Sequence, residues 1–179
     1  GNSASGNGEG FVLERSSNNL VVANTAVTST LAKAAGVGFW VREGSQANVV
    51  RGNTASLNDN AGFVLKDSDN NQFIGNTASQ NKGDGFYASN SAKALFRGNV
   101  SKGNGDGTTG GNGFVFLASS DIRVENNVAR DSPWACFGLY GGTSRATLVG
   151  NMASGCAAGF DLSDAANHNT LTGNTANDN

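Results

Sequence analysis

Gly52-Asn53-Thr54-Ala55-Ser56-Leu57-Asn58-Asp59-Asn60-Ala61-Gly62-Phe63-Val64-Leu65-Lys66-Asp67-Ser68-Asp69-Asn70-Asn71 is one unit of a repeat, and its reading decides the fold. The Asn of Gly-Asn-Thr-Ala returns as Asn2, Asn24, Asn53, Asn76, Asn99, Asn127, Asn151 and Asn174, at spacings of 22, 29, 23, 23, 28, 24 and 23 residues. A period near 23, with insertions of five or six residues, marks one supersecondary unit stacked on copies of itself.

The unit is β. After a Gly, each coil carries a short alternating run: Phe11-Val12-Leu13, Phe39-Trp40-Val41, Phe63-Val64-Leu65, Phe86-Tyr87-Ala88, Phe114-Val115-Phe116 and Phe160-Asp161-Leu162. Period two puts the Phe and the residue two later inside and the residue between them outside. Two more apolar columns keep phase with the motif Asn. Val21, Val50, Phe73, Phe96, Val124, Leu148 and Leu171 stand three residues before it, and Ala4, Ala26, Ala55, Ala78, Ala129, Ala153 and Ala176 stand two after. Each coil therefore has three strands. A polar column, Asn7, Asn58, Asn81, Asn104 and Asn179, with Ser29, Ser132 and Cys156 at the same place, reads as a turn ladder in which each amide bonds the next coil. A helical reading fails because the runs are short, β-branched or aromatic, and interrupted by Gly. Leucine-rich repeats have similar periods, but their leucine scaffold is missing here. The expectation is an all-β, three-faced solenoid of about eight coils, about 38 Å long at ~4.8 Å per coil, forming a single domain over 1–179.

Composition narrows the function classes. With a net charge of -2 and 12 Lys plus Arg in 179 residues, no basic stripe exists to neutralise phosphates, so nucleic acid is not expected as a partner. No apolar run approaches the ~18 residues that would cross a bilayer, so no membrane insertion is expected, and any leader peptide is expected to be gone already. The bias toward 26 Gly and 25 Asn, beside one Pro, one Met and one His, is that of a repeat. Cys136 and Cys156 are the two cysteines; lying about one coil apart they allow a bridge, but because they fall at different points of the coil two small buried side chains are favoured over it.

The consensus Gly-Asn-Thr-Ala-Ser-x-Asn-x-x-x-Gly-Phe-x-Leu-x-x-Ser-x-Asn-Asn resembles the right-handed parallel β-helix repeat of the pectate-lyase-like superfamily along the whole chain. That resemblance implies a right-handed parallel β-helix. It implies a choice among polysaccharide lyases, hydrolases, uronan epimerases, tailspikes, surface adhesins and the periplasmic proteins that help to mature the copper site of nitrous oxide reductase. The motif residues build the coil and do not themselves select an activity.

Chemistry is expected on one outward face. The extra residues of the long coils, Thr30 to Val37 and Gly105 to Gly111, and the irregular Asp131-Ser132-Pro133-Trp134-Ala135-Cys136, fall at one corner and wall a groove above the Phe strand. Outward columns there are Val12, Trp40, Val64, Tyr87, Val115, Gly138 and Asp161, then Glu14, Arg42, Lys66, Ser89, Leu117, Tyr140 and Ser163. Trp40, Tyr87, Tyr140 and Trp134 are candidates to stack on sugar rings. Arg42 and Lys66 are candidates to pair with a uronate carboxylate and so acidify the adjacent C–H, with Tyr87 as acid or base. The same residues are also what a solvated strand surface ordinarily carries. No Asp-Pro-His-Asp or Asp-Pro-His-Glu motif, which resembling epimerases carry, is present, and His168 stands alone in a polar turn. No close carboxylate pair for glycoside hydrolysis is legible, Asp67 and Asp69 lying beyond the strand. Calcium has oxygen-rich turns to occupy, such as Asn104-Gly105-Asp106-Gly107 and Asn177-Asp178-Asn179, but the tandem Gly-Gly-x-Gly-x-Asp pattern is missing, so no cofactor is expected. The sequon Asn99-Val100-Ser101 falls on a structural Asn.

Neither terminus reads as a cap, so a fragment or a head-to-tail stacking unit is expected. The functional expectation is a secreted, surface or periplasmic solenoid acting as a non-catalytic structural or carbohydrate-binding scaffold. The alternatives are a uronan lyase or C5-epimerase working in the groove, or a filament subunit.

Overall fold

A computed structural model describes every residue from Gly1 to Asn179 except Leu31 and Lys33, in the first insertion, and Thr109, in the second. The chain winds as a right-handed, three-faced parallel β-helix. An eight-stranded alanine sheet runs from Ser3–Ser5 to Thr175–Asn177. A seven-stranded phenylalanine sheet runs from Glu9–Glu14 to Ala158–Leu162, and a seven-stranded third sheet from Leu20–Val22 to Thr170–Thr172. Pairing is parallel and in register with the repeat: Ala55 lies beside Ala78, Phe63 beside Phe86, and Phe73 beside Phe96.

In-register stacking makes like meet like, and the core is built on that. Phe11, Phe39, Phe63, Phe86, Phe114, Phe137 and Phe160 form one continuous stack with ring centroids 4.6–5.0 Å apart and planes within 10°. Phe73 and Phe96 stack beside them at 4.9 Å and meet Phe63 and Phe86 edge-on, the geometry that ring quadrupoles favour. All the rings from Phe39 to Phe137 are fully buried. Small alanines on the opposite sheet let the coil cross-section close around these rings, since Ala26, Ala55, Ala78 and Ala129 are completely buried.

The bends are held by side-chain ladders. Each motif Asn from Asn2 to Asn151 donates its backbone N–H and its Nδ2 to Oδ1 of the motif Asn one coil on, at 2.8–3.2 Å. The Nδ2 of Asn76 also reaches the Val50 carbonyl at 2.8 Å, so the amide satisfies groups that the bend would otherwise strand. The residue before each motif Asn from Asn24 to Asn174 turns through the left-handed region; Gly52, Gly75, Gly98 and Gly150 take it at φ 61–66°, where Cβ-bearing residues are strained. A second ladder joins Asn58, Asn81 and Asn104. A third, which the repeat consensus contains but whose role it does not announce, passes backbone N–H bonds along Ser16, Ser45, Ser68, Ser91, Ser119 and Thr143.

Cys136 and Cys156 form a disulfide, with Cα atoms 5.6 Å apart, which corrects the expectation of two separate side chains. They do occupy different columns, but the two columns face each other across one coil. A Cβ placed on Gly38 or Gly62 would lie 2.9 Å from Nδ2 of Asn58 or Asn81 of the following coil. Cys136 stands where other coils have that Gly, and Cys156 where they have that Asn. The bridge therefore replaces a Gly–Asn contact of the standard coil.

Candidate functional site

The outward face of the phenylalanine sheet carries the site. The two predicted columns are in register: Trp40 beside Val64, Val64 beside Tyr87, Tyr87 beside Val115, and Leu117 beside Tyr140. A third column joins them. Glu9, Val37, Ala61, Asp84, Asn112, Ala135 and Ala158 precede the Gly (Cys in one coil) of each Phe strand, and several of them line the groove. Strict alternation would have put this column inside. It lies outside because the Gly and the Phe after it both face the interior, where the missing Cβ of the Gly admits the neighbouring Ala and Asn.

Among the described residues, two cavities mark this face; the larger measures about 570 Å³, and Asp84, Tyr87, Asn112, Trp134, Tyr140, Asp161 and Asp164 are among its lining residues. Tyr140 lies flat across the sheet: a Cβ on Gly138 would come within 2.5 Å of its Cε2, Cζ and Oη. Its phenol donates to Asp161 Oδ2 at 3.1 Å and lies 3.5 Å from Asn112 Oδ1. Burial, together with Asp161, Asp84 and Asp164 nearby, pushes the Tyr140 phenol far above its ordinary range and keeps it protonated. Asp84 is a built-in acceptor, taking the backbone N–H of Gly111 and Asn112 and the Asn112 side chain at 2.9–3.1 Å. It thereby pins the end of the second insertion to the floor.

Trp134, almost half exposed, forms the wall. The Trp134 ring and Pro133 close over Gly111, where a Cβ would meet them at 3.0–3.1 Å. The Trp134 carbonyl accepts Ala157 N–H at 2.8 Å and the disulfide follows two residues later, so the wall is tied to two successive coils.

The smaller cavity, about 260 Å³, is lined by Ala35, Val37, Trp40, Asn60, Ala61, Val64, Lys66, Asp84 and Tyr87. Its apolar side is a cluster outside the solenoid core, Val37, Ala61 and Val64 with Ala35, Trp40 and Tyr87 packed against them. Asp84 and Tyr87 line both cavities, so the two form one groove along the stack. Trp40 Nε1 is buried without a hydrogen-bond partner.

The predicted residues divide accordingly. Tyr87, Tyr140 and Trp134 meet in the larger cavity, and Trp40, Lys66 and Tyr87 in the smaller. Arg42 does not join Lys66 there: it stacks over the Trp40 ring at 4.2 Å and pairs with Glu14 at 2.7 Å and Glu9 at 3.7 Å. Asp84, Asn112 and Asp164 are groove residues that the sequence reading missed, and Asp161 was placed in its column without a role. Among the described residues, no group of three or more His, Cys, Asp or Glu is placed to hold a metal ion.

Fold and site together define a parallel β-solenoid with an aromatic groove on one face. The chain belongs to the family described as right handed beta helix region, which matches residues 1–128. No curated protein sequence matches it. Among solved structures it is similar to a point mutant of the periplasmic alginate epimerase AlgG (TM-score 0.83, 18% identity, 98% of this chain and 44% of that one). It is also similar to the A-module of mannuronan C-5 epimerase AlgE4 from Azotobacter vinelandii (0.75, 20%, 88% and 41%). The alginate lyase from Paenibacillus sp. str. FPU-7 gives 0.75, 13%, 97% and 69%. The chain spans less than half the length of both epimerase chains.

Proposed function

We propose that this protein binds a polysaccharide laid along the groove of the phenylalanine sheet, and that it works outside the cytoplasm. The observation that carries the reading is the groove itself, an elongated channel with Trp40, Tyr87, Trp134 and Tyr140 along it. Aromatic faces spaced along an open channel suit sugar rings, which present apolar C–H faces to stack and hydroxyls to hydrogen-bond. Asp84, Asn112 and Asp161 supply polar groups on the floor. The disulfide supports an oxidising compartment.

A catalytic reading is favoured by the solved neighbours, which include epimerases and lyases of alginate. Elimination or epimerisation of a uronate removes the C5 proton, with a cation stabilising the carboxylate and an acid protonating the leaving oxygen or the opposite face. In this chain the cation would be Lys66 and the base Tyr87, both in the smaller cavity, with Tyr140 as the proton donor in the adjoining one. Arg42 is committed to Glu14 and Glu9 and contributes at most the position of Trp40.

The test is a glycan array read for binding and for product, as unsaturated uronate by ultraviolet absorbance and as inverted C5 configuration by proton NMR, run with the parent chain, Trp40→Ala plus Tyr87→Ala, and Lys66→Ala. Binding that the aromatic variant loses, without product, establishes a binding solenoid. Product that Lys66→Ala abolishes establishes the catalytic reading, and no binding to any glycan contradicts both.

A further inference from the structure

Charge is distributed unevenly along the groove. Among the described residues, the larger cavity is lined by three carboxylates, Asp84, Asp161 and Asp164, and by no basic side chain. Lys66 sits at the far end, in the smaller cavity, and the guanidinium of Arg42 is already neutralised by two glutamates. A polymer carrying one carboxylate per sugar would have to bring negative charge into a partly enclosed space that already holds three, without a counter-cation there. A protonated amine would instead meet both the carboxylates and the faces of Tyr87, Trp134 and Tyr140, and aromatic faces attract cations.

The carboxylates differ in what they have left to offer. Asp84 Oδ1 is taken by three N–H donors and holds the loop at Asn112, so it contributes charge and floor geometry. Asp161 accepts the Tyr140 phenol through Oδ2. Asp164 is exposed at the mouth of the cavity, on the turn that follows the last strand of the phenylalanine sheet. Asp161, part-buried, and Asp164, exposed, both line this cavity and offer it two carboxylates.

Resting on the polysaccharide-binding reading, and against the uronate alternative given with it, we infer that the larger cavity selects an amine-bearing glycan, a hexosamine polymer with free amino groups, over uronans and over N-acylated or neutral chains. The amine would sit between Asp161 and Asp164 with its sugar ring against Tyr140 or Trp134.

The experiment is calorimetric titration of the intact chain with glucosamine, N-acetylglucosamine, glucose and mannuronate oligomers of equal length, at low and high salt. The glucosamine oligomer is expected to bind about tenfold or more tighter than the other three, with the advantage shrinking as salt rises. Asp164→Asn, at an exposed turn, should lower amine binding several-fold while leaving binding of the neutral oligomer in place, whereas Asp161→Asn, which also removes the carboxylate that holds the Tyr140 phenol, should lower both. Circular dichroism of each variant separates this from loss of fold. Mannuronate or N-acetylglucosamine binding as tight as the amine overturns the inference and leaves the groove reading standing. Binding of none of the four overturns both.

Discussion

The ring of Tyr140 occupies the space that a side chain at residue 138 would need, and Gly138 is what allows it: a Cβ there would lie within 2.5 Å of Cε2, Cζ and Oη. Val12, Val64 and Val115 hold the same column position in other coils. One glycine thus converts an ordinary outward Val position into a slot for a phenol lying across the sheet, from which it reaches Asp161 in the next coil and faces Asn112 in the previous one.

Restoring the column should therefore empty the slot. Gly138→Val is expected to swing Tyr140 out, break its bond to Asp161, and weaken glycan binding about tenfold. The fold should tolerate the change, because the ring is the far end of a side chain and Val suits an outward strand position. A normal circular dichroism spectrum with lost binding is the expected pair of results.

Tyr140 also gives the protein an alkaline signature. Its phenol is raised in the folded state above its ordinary value near 10.0, so the folded chain retains a proton that the unfolded chain gives up. That contribution is fully present below pH ~10 and is lost as pH rises through the ordinary phenol range toward the raised folded value. Denaturant unfolding followed from neutral to alkaline pH should show stability falling in that window, and Tyr140→Phe should flatten the fall.

The disulfide closes a loop with a sequence separation of 20 at the coil that carries the Trp134 wall. Replacing both cysteines, as Cys136→Ala with Cys156→Ala, should cost about 3 kcal/mol by restricting the unfolded chain less. Cys156→Asn with Cys136→Gly rebuilds the standard coil contact and should recover part of that loss. Unfolding midpoints of the three proteins, with and without reductant, check both statements; only the parent should respond to reductant.

Asn99 is completely buried in the middle of its ladder. Its Oδ1 accepts the backbone N–H and Nδ2 of Asn76, and its Nδ2 donates to the Phe73 carbonyl and to Asn127 Oδ1. Asn99→Ala strands a buried backbone N–H and a carbonyl at once and should cost about 2–4 kcal/mol. Hydrogen exchange should show the loss of protection centred on Asn76 and its neighbouring coils.

The sequence made the coil legible because in-register stacking repeats every interior choice, so the Phe, Ala and Asn columns read directly from the period. Trp40, Tyr87 and Tyr140 were legible as outward residues for the same reason. Asp84 and Asn112 were not, because alternation breaks at the Gly before each Phe and turns the preceding residue outward; carrying the column comparison two residues further back would have found them. The disulfide was hidden by a similar step. Cys136 and Cys156 share no column, and only the contact between the Gly column and the Asn column of the next coil brings them together. The Tyr140 slot needs a three-dimensional fact, a ring crossing the sheet toward the preceding column, that no period encodes.

The central claim, that this groove holds polysaccharide, is tested most directly through Trp134. The chain has two tryptophans, one at each cavity, so Trp40→Phe leaves Trp134 as the single indole reporter in the larger one. Titration of that variant with oligosaccharides should give a saturable change in emission, and Trp134→Ala should weaken binding by about 10–100-fold. An unmoved Trp134 signal, with glycan affinity unaffected by Trp134→Ala, would contradict the account.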